Sequence, residues 1–162
     1  MTMVHASVDA IVQEVEIQAP AERIFEALTR PEELLRWWRA KGMFEAVEVE
    51  CDVRPGGRWK MRVEGNCGTG SSSLVSGVYL EVEAPRLLVF TWNREGEDWP
   101  ETVVRWDLEE RNGVTTVRVT HSGLTSEAMR ERNGGWPLIV SLLQGYVRSE
   151  VEDALHAGSA EG

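Results

Sequence analysis

The sequence predicts an α+β fold in which a curved antiparallel β-sheet of six to seven strands wraps around one long C-terminal α-helix. Apolar and polar residues alternate over residues 11–18 and again in several segments between residues 47 and 121, as in strands with one buried and one solvated face. From Trp136 onward, the apolar residues recur at helical spacing instead. The chain has 162 residues, enough for one domain with a substantial core. We therefore expect a single domain over residues 1–162, with its core at about 10–152 and flexible termini.

One strand and two short helices form the first part of the chain. Residues 11–18 alternate strictly and are predicted to be a strand. Pro20 opens a short helix, because proline in the first helical turn sacrifices no hydrogen bond. Pro31 ends that helix, since the residue before a proline is displaced from the helical region. A second short segment ends at Trp37 and Trp38, whose large apolar surfaces indicate a lid, a cavity wall or a packing plug.

Six further strands are predicted, each separated from the next by a turn or loop signal. They cover about residues 47–53, 58–64, 74–82, 86–93, 102–109 and 115–121. On the first of these, Val47 and Val49 are expected to share the buried face. The small residues of Gly65–Ser73, which include Cys67, are predicted to form a mobile hairpin loop at the cavity mouth.

The C-terminal part of the chain changes to helical periodicity. Ser126 is a suitable cap for a short helix that contains Met129, and the Asn-Gly-Gly sequence at 133–135 interrupts it. A longer helix begins near Trp136 and carries an apolar stripe at Ile139, Leu142, Leu143, Tyr146 and Val147. That stripe must be buried, and the apolar face of the sheet is the available surface. Bulky aromatic residues between the two layers predict an internal cavity.

Composition and charge exclude several classes of function. The chain carries 17 basic and 27 acidic residues, a net charge of −10, which disfavours binding to nucleic acid. No apolar run approaches the roughly 20 residues of a membrane helix, and the N-terminus lacks the features of a signal peptide. We therefore expect a cytoplasmic protein without membrane insertion. Cys51 and Cys67 have no metal-ligand spacing, so we expect reduced thiols, no metal and no cofactor.

His121 is the best candidate for chemistry. It shares a strand face with Val117 and Val119, so its ring is expected to point inward. The sequence leaves two roles open: an acid, base or polar anchor for a ligand, and a structural histidine bonded to the backbone at a strand end. No histidine base is placed beside the serines of the glycine-rich loop, and that loop connects two strands rather than leading into a helix as a phosphate loop does. No catalytic residues are predicted.

The candidate binding residues are those expected to line the space between the sheet and the C-terminal helix. The seven tryptophans supply much of this surface, and aromatic side chains with one polar group make good pocket walls. For each single tryptophan, ordinary core packing is the alternative interpretation. The predicted lining consists of Trp38, Trp59, Met61, Phe90, Trp92, Trp106, Val117, His121, Trp136, Leu143 and Tyr146.

Several short motifs together resemble one known family. They are residues 19–29, Trp37-Trp38, and residues 55–59, 77–82, 85–92, 120–124 and 134–136. They occur in the family's order over roughly residues 10–152. In these motifs the chain resembles the activator of heat-shock protein 90 ATPase homologue-like family, within the START-related helix-grip superfamily. The resemblance implies a helix-grip fold with a cavity, and similar proteins include lipid carriers, hormone receptors, polyketide cyclases and co-chaperone domains.

A START-like protein that binds a small hydrophobic ligand is therefore the leading expectation, and enzymatic activity is not assigned. One alternative is a cyclase-like or hydrolase-like enzyme that uses His121. Another is a co-chaperone-like or stress-response regulator that binds a protein. The family's eukaryotic co-chaperones have a separate N-terminal domain that this chain lacks, so a chaperone partner is not expected. The sequence carries no interface pattern, and it leaves open whether the domain forms a homodimer.

Overall fold

An antiparallel sheet and a C-terminal helix make up most of the structure. The computed structural model describes residues 9–65 and 72–161, with side chains up to residue 149. The strands are β1 (Ala10–Ile17), β2 (Arg39–Ala40), β3 (Phe44–Cys51), β4 (Arg58–Gly65), β5 (Ser72–Glu83), β6 (Leu87–Arg94), β7 (Thr102–Arg111) and β8 (Val114–Ser122). The helices are α1 (Ala21–Thr29), α2 (Pro31–Trp37), α3 (Glu127–Arg132) and α4 (Trp136–Glu161). The first eight residues, and residues 66–71 of the predicted mobile loop with Cys67, lie outside the described residues.

The strands form one antiparallel sheet in the order β1-β8-β7-β6-β5-β4-β3-β2. From β2 to β8 each strand pairs with the next along the chain, whereas β1 pairs with β8. In that last pairing Ala10 lies opposite Ser122, and Ile17 lies opposite Thr115. The sheet curls into a half-barrel around α4. The predicted α+β class and helix-grip architecture are therefore confirmed.

The sheet has eight strands rather than the predicted six to seven. The additional strand is β2, which consists of only Arg39 and Ala40 and pairs with Glu45 and Phe44 of β3. Two residues are too few to show an alternating pattern, so periodicity alone does not reveal such a strand.

The register of β3 also differs from the prediction. Pairing with β4 shifts between Ala46 and Glu48, so that Val47 lies at a β-bulge. Val47 is 40% exposed, whereas Ala46 and Val49 are buried. The prediction that Val47 shares the buried face is wrong, because one extra residue in a strand turns every side chain before it to the opposite face.

The core lies between the inner face of the sheet and α4. Alternate residues of β7 and β8 are fully buried, including Val104, Trp106, Val117 and Val119. The predicted helical stripe of α4 is confirmed at Ile139, Leu143 and Val147, which are buried together with Trp136 and Val140, while Leu142 and Tyr146 are half-buried. The Gln144 side chain donates to the Glu16 carbonyl oxygen at 2.8 Å and joins α4 to β1.

The two predicted short helices close one end of this core. Pro20 is the N-cap of α1, with extended backbone at ψ 148°, rather than a residue of its first turn. Proline has no side-chain acceptor, and the N–H of Ala21, which has no acceptor within the helix, donates to a carboxylate oxygen of Glu110 at 2.8 Å. Pro31 is the first residue of α2, so it both ends one helix and begins the next. The Trp37 indole then donates to the Ala27 carbonyl oxygen at 2.8 Å, which ties the end of α2 to α1.

Candidate functional site

A continuous cluster of aromatic rings fills one half of the core. Trp92 is at its centre, with ring centroids 5.3 Å from Trp59, 5.7 Å from Trp136 and 6.5 Å from Trp38. Trp38 and Trp136 meet edge to face at 6.1 Å. Further ring contacts extend the cluster to Trp37, Phe90, Tyr79, Trp106 and His121. Such tilted and edge-to-face contacts are the favoured geometries of aromatic pairs.

A cavity of about 320 Å³ lies beside this cluster. Its walls come from the inward positions of β3 to β6 on one side and from the junction of α3 and α4 on the other. The lining residues are Trp38, Phe44, Val63, Gly65, Ser73, Val75, Trp92, Arg94, Arg132, Asn133, Gly135, Trp136 and Ile139. The wall is therefore mostly apolar, with two arginines and an asparagine at one end.

A second cavity, of about 40 Å³, is lined in part by the same rings. It is lined by Leu28, Leu34, Trp38, Val49, Cys51, Trp59, Met61, Tyr79, Phe90, Trp92, Trp106 and Trp136. Trp38, Trp92 and Trp136 line both spaces, so these three residues are common to the walls of the two cavities.

The structure separates the predicted lining residues into three groups. Trp38, Trp92 and Trp136 line the larger cavity, and these three together with Trp59, Met61, Phe90 and Trp106 line the smaller one. Val117, His121 and Leu143 are fully buried and line neither cavity. Tyr146 also lines neither, and contacts Glu33 of α2 instead.

Several residues of the larger cavity were missed by sequence reasoning. Val63, Val75 and Ile139 carry a signal, since each is an apolar residue at an inward position of a regular element. Arg94 and Arg132 carry none, because an arginine at the end of a strand or of a short helix usually points to solvent.

His121 is held by side chains on both ring nitrogens. Nδ1 accepts from the Trp136 indole N–H at 3.0 Å, and Nε2 lies 2.7 Å from the Thr102 hydroxyl oxygen. Because an indole nitrogen only donates, Nδ1 must be unprotonated, and Nε2 carries the proton and donates to Thr102. The Thr102 hydroxyl in turn donates to the Trp92 carbonyl oxygen at 3.1 Å. The chain of bonds therefore uses every donor and acceptor of a neutral imidazole.

This environment gives His121 a structural role. The ring is completely buried, and burial together with the positive charge of Arg94 lowers the pKa of His121 to about 4. A general base needs a free lone pair within reach of the substrate, and the only lone pair of this ring is occupied by Trp136. The alternative of an enzyme that uses His121 gains no support from this geometry. The ring bonds to side chains, not to the backbone as a strand-end histidine often does.

Arg94 is the most unusual polar residue of the larger cavity. One of its terminal nitrogens donates to the Asn133 side-chain oxygen at 3.1 Å, and its guanidinium carbon lies 6.0 Å from the centre of the Trp92 ring. Its Nε is buried and has no acceptor among the described residues. Burial and the nearby charge of Arg132 lower the pKa of Arg94 to about 10.

Cys51 lies in the smaller cavity, and burial raises the pKa of its thiol. A raised pKa disfavours the thiolate and makes this cysteine unreactive. In the part of the chain that the structure describes, no three His, Cys, Asp or Glu side chains are grouped closely enough to hold a metal ion. Across those same residues, no helix combines the length and hydrophobicity needed to cross a bilayer.

An antiparallel half-barrel that encloses a C-terminal helix and an aromatic-lined cavity defines a helix-grip protein. The family model for Activator of Hsp90 ATPase homolog 1-like protein matches residues 18–148. The chain belongs to this family.

Solved structures share the fold of this chain. Protein CV1439 from Chromobacterium violaceum is 22% identical and has a TM-score of 0.76, with 86% of this chain and 98% of that chain covered. The AHSA1-like protein from Aeromonas hydrophila is 23% identical, with a TM-score of 0.71 and coverage of 86% and 94%. CalU16 from Micromonospora echinospora is 25% identical, with a TM-score of 0.66 and coverage of 86% and 74%. No curated protein sequence matches the chain.

Proposed function

We propose that this protein binds a small, largely apolar molecule in the larger cavity, between the sheet and the start of α4. The observation that carries the proposal is the cavity itself, about 320 Å³ in volume and walled mainly by aromatic and aliphatic side chains. This volume falls within the range of small-molecule sites in proteins. The cavity volume equals that of roughly ten to twenty water molecules, so it suits a ligand with a similar number of non-hydrogen atoms.

The cavity wall is preorganised by contacts that do not involve a ligand. Trp136 is oriented by its bond to His121, and Trp92 is packed between Trp59 and Trp136. A wall that is already ordered loses little conformational entropy on binding, so apolar contact translates more fully into affinity. Each Å² of apolar surface that is removed from water contributes about 25 cal/mol of favourable transfer free energy.

Binding is better supported than catalysis at this site. The polar groups of the wall are two arginines, an asparagine and a serine, which supply mostly hydrogen-bond donors. A nucleophile activated by an adjacent base is the arrangement that covalent acyl-transfer chemistry would need. As part of this proposal the protein acts in the cytoplasm as a ligand-binding protein, and neither a chaperone partner nor dimerisation is required for binding.

The experiment is a titration with N-phenyl-1-naphthylamine, a neutral apolar dye whose fluorescence rises in an apolar site. Val63 lines the cavity and Val12 is an exposed residue of β1, so Val63→Phe and Val12→Phe form a matched pair. We expect saturable binding to the wild type and to Val12→Phe, and a loss of affinity of about tenfold or more in Val63→Phe, because the added ring occupies the cavity. Equal affinities in the two variants, or no change in fluorescence or Tm with the wild type, would contradict the proposal.

A further inference from the structure

We infer that the ligand of the larger cavity is an amphipathic monocarboxylate, whose carboxylate is held by Arg94 and Arg132 while its apolar body lies against the indole rings. This inference rests on the proposed function, since it names the class of molecule that the same cavity binds. Its basis is the contrast between the two ends of the cavity wall.

Arg94 has hydrogen-bonding capacity that the protein does not use. A guanidinium group carries five N–H donors. Among the described residues the acceptor found for Arg94 is the side-chain oxygen of Asn133, Nε has none, and no carboxylate forms an ion pair with the group. A half-buried charge without an ion pair is unfavourable, because the surrounding protein replaces water, and here Glu97 attracts the guanidinium without bonding to it. An anion in the cavity would supply a bonded counter-charge.

The charges around this end of the cavity favour a single negative charge on the ligand. Arg132 also lines the cavity, and its Nε lies 3.3 Å from a carboxylate oxygen of Glu97. Two guanidinium groups and one carboxylate leave a net charge of +1 at this site. The whole chain has a net charge of −10, so a locally positive cavity end is not a consequence of overall composition.

The geometry of the groups suits a carboxylate. The planar guanidinium fork matches two coplanar oxygens, which permits paired charge-assisted hydrogen bonds. The remaining wall is mostly apolar: Trp38, Trp136 and Ile139 face the cavity together with Phe44 and two valines. Such a wall binds a hydrocarbon or aromatic body and offers few partners to a second polar group.

Calorimetric titration with decanoate and decanamide tests this inference. The two probes have the same chain and nearly the same shape, and they differ in the charge of the head group. We expect decanoate to bind at least tenfold more tightly than decanamide at low salt, and the difference to shrink as salt is added. Arg94→Met should reduce decanoate affinity by about tenfold or more and leave decanamide affinity nearly unchanged, because a hydrogen bond to a charged group is stronger than one to a neutral group.

Arg105→Met is the matched control. Arg105 is exposed on β7 and paired with Asp107 at 2.9 Å, so this variant removes the same charge away from the cavity lining, and should keep the preference for decanoate. Arg132→Met provides a second test at an exposed residue, in case Arg94→Met lowers the Tm.

The outcomes separate the two proposals. Equal binding of decanoate and decanamide, with both lost in Val63→Phe, would overturn the carboxylate inference and retain the apolar binding function. Failure of both probes to bind, while N-phenyl-1-naphthylamine binds, would also overturn the inference alone. Failure of all three compounds would overturn both proposals.

Discussion

His121 and Trp136 form the polar centre of an otherwise apolar core. Their hydrogen bond orients the indole ring that lines both cavities, so a residue outside the cavity lining positions part of the cavity wall. Thr102 completes the arrangement, because its hydroxyl accepts a hydrogen bond from the imidazole Nε2–H and donates one to the Trp92 carbonyl oxygen. A buried polar group is tolerated when all its partners are present, and here each partner also contacts the aromatic cluster.

The first prediction concerns the pH dependence that His121 confers. Its pKa is about 4 in the folded protein and about 6.5 when unfolded. Between these values the unfolded chain binds a proton that the folded protein does not, so the free energy of unfolding decreases as the pH falls. The stability that depends on neutral His121 is fully present above about pH 6.5. About 2 kcal/mol of this free energy of unfolding is lost between pH 7 and pH 5.

Urea denaturation at the two pH values measures this effect. We expect the wild type to lose about 2 kcal/mol more than His121→Gln over that interval, because glutamine does not titrate. If the free energy of unfolding decreased equally in both proteins, titratable groups other than His121 would account for the pH dependence. A ¹⁵N spectrum of the imidazole should also show protonated Nε2 and bare Nδ1 at pH 7.

At the scale of elements, β5 contains a glycine where any larger residue would collide with its neighbour. Gly77 lies opposite Trp59 of β4, and the Trp59 indole N–H donates to the Thr91 carbonyl oxygen of β6 at 3.1 Å. A Cβ placed on Gly77 would lie 1.9 Å from that same oxygen. Glycine in a strand interior often marks such a close approach. The placement of the Trp59 indole and the placement of the β6 backbone therefore both require a glycine at residue 77.

The second prediction compares two glycine-to-alanine substitutions. Gly77→Ala should lower the free energy of unfolding by about 3 kcal/mol or more, because backbone must move to relieve the overlap. Gly145→Ala should raise it by about 0.5 to 1 kcal/mol, since Gly145 is an exposed residue of α4 and its added Cβ meets nothing within 4 Å. Equilibrium denaturation in urea measures both, and effects of the same sign would refute the interpretation.

At the scale of the whole molecule, one polar group joins three of the helices. Glu33 of α2 is buried and accepts from Arg23 of α1 at 2.7 Å and from the Tyr146 hydroxyl of α4 at 3.0 Å. The Arg23 guanidinium also lies 5.8 Å from the centre of the Tyr146 ring. These contacts fix the two short helices against α4 and so help to position Trp38, which follows α2, at the cavity.

The third prediction concerns this junction. Glu33→Gln should lower the free energy of unfolding by about 2 kcal/mol, because it removes a charged acceptor at 2.7 Å from a largely buried arginine, which keeps Glu26 at 3.5 Å. Glu32→Gln removes the same charge from an exposed position of the same helix and should change stability by less than about 0.5 kcal/mol. Thermal and urea denaturation of the pair measure the difference. Similar losses in both variants would indicate a general charge effect and not the junction.

The sequence by itself determined the architecture and most of the element positions. Strand alternation and the helical stripe of α4 are local patterns, and they remain legible because each element buries one face. The prediction failed where the strand alternation is absent or broken. β2 is too short to show a period, and the bulge at Val47 reverses the faces of β3.

Only the tertiary structure decided where the cavity lies and what its wall contains. Aromatic residues could be predicted to lie inside, but whether an indole borders a space or is packed on all sides depends on how its neighbours fill the volume around it. Arg94, Arg132 and Trp38 belong to three separate elements or their ends, and they come together through the curl of the sheet around α4. The shape of a cavity depends on the orientations of many side chains from distant segments, so no short stretch of sequence determines it.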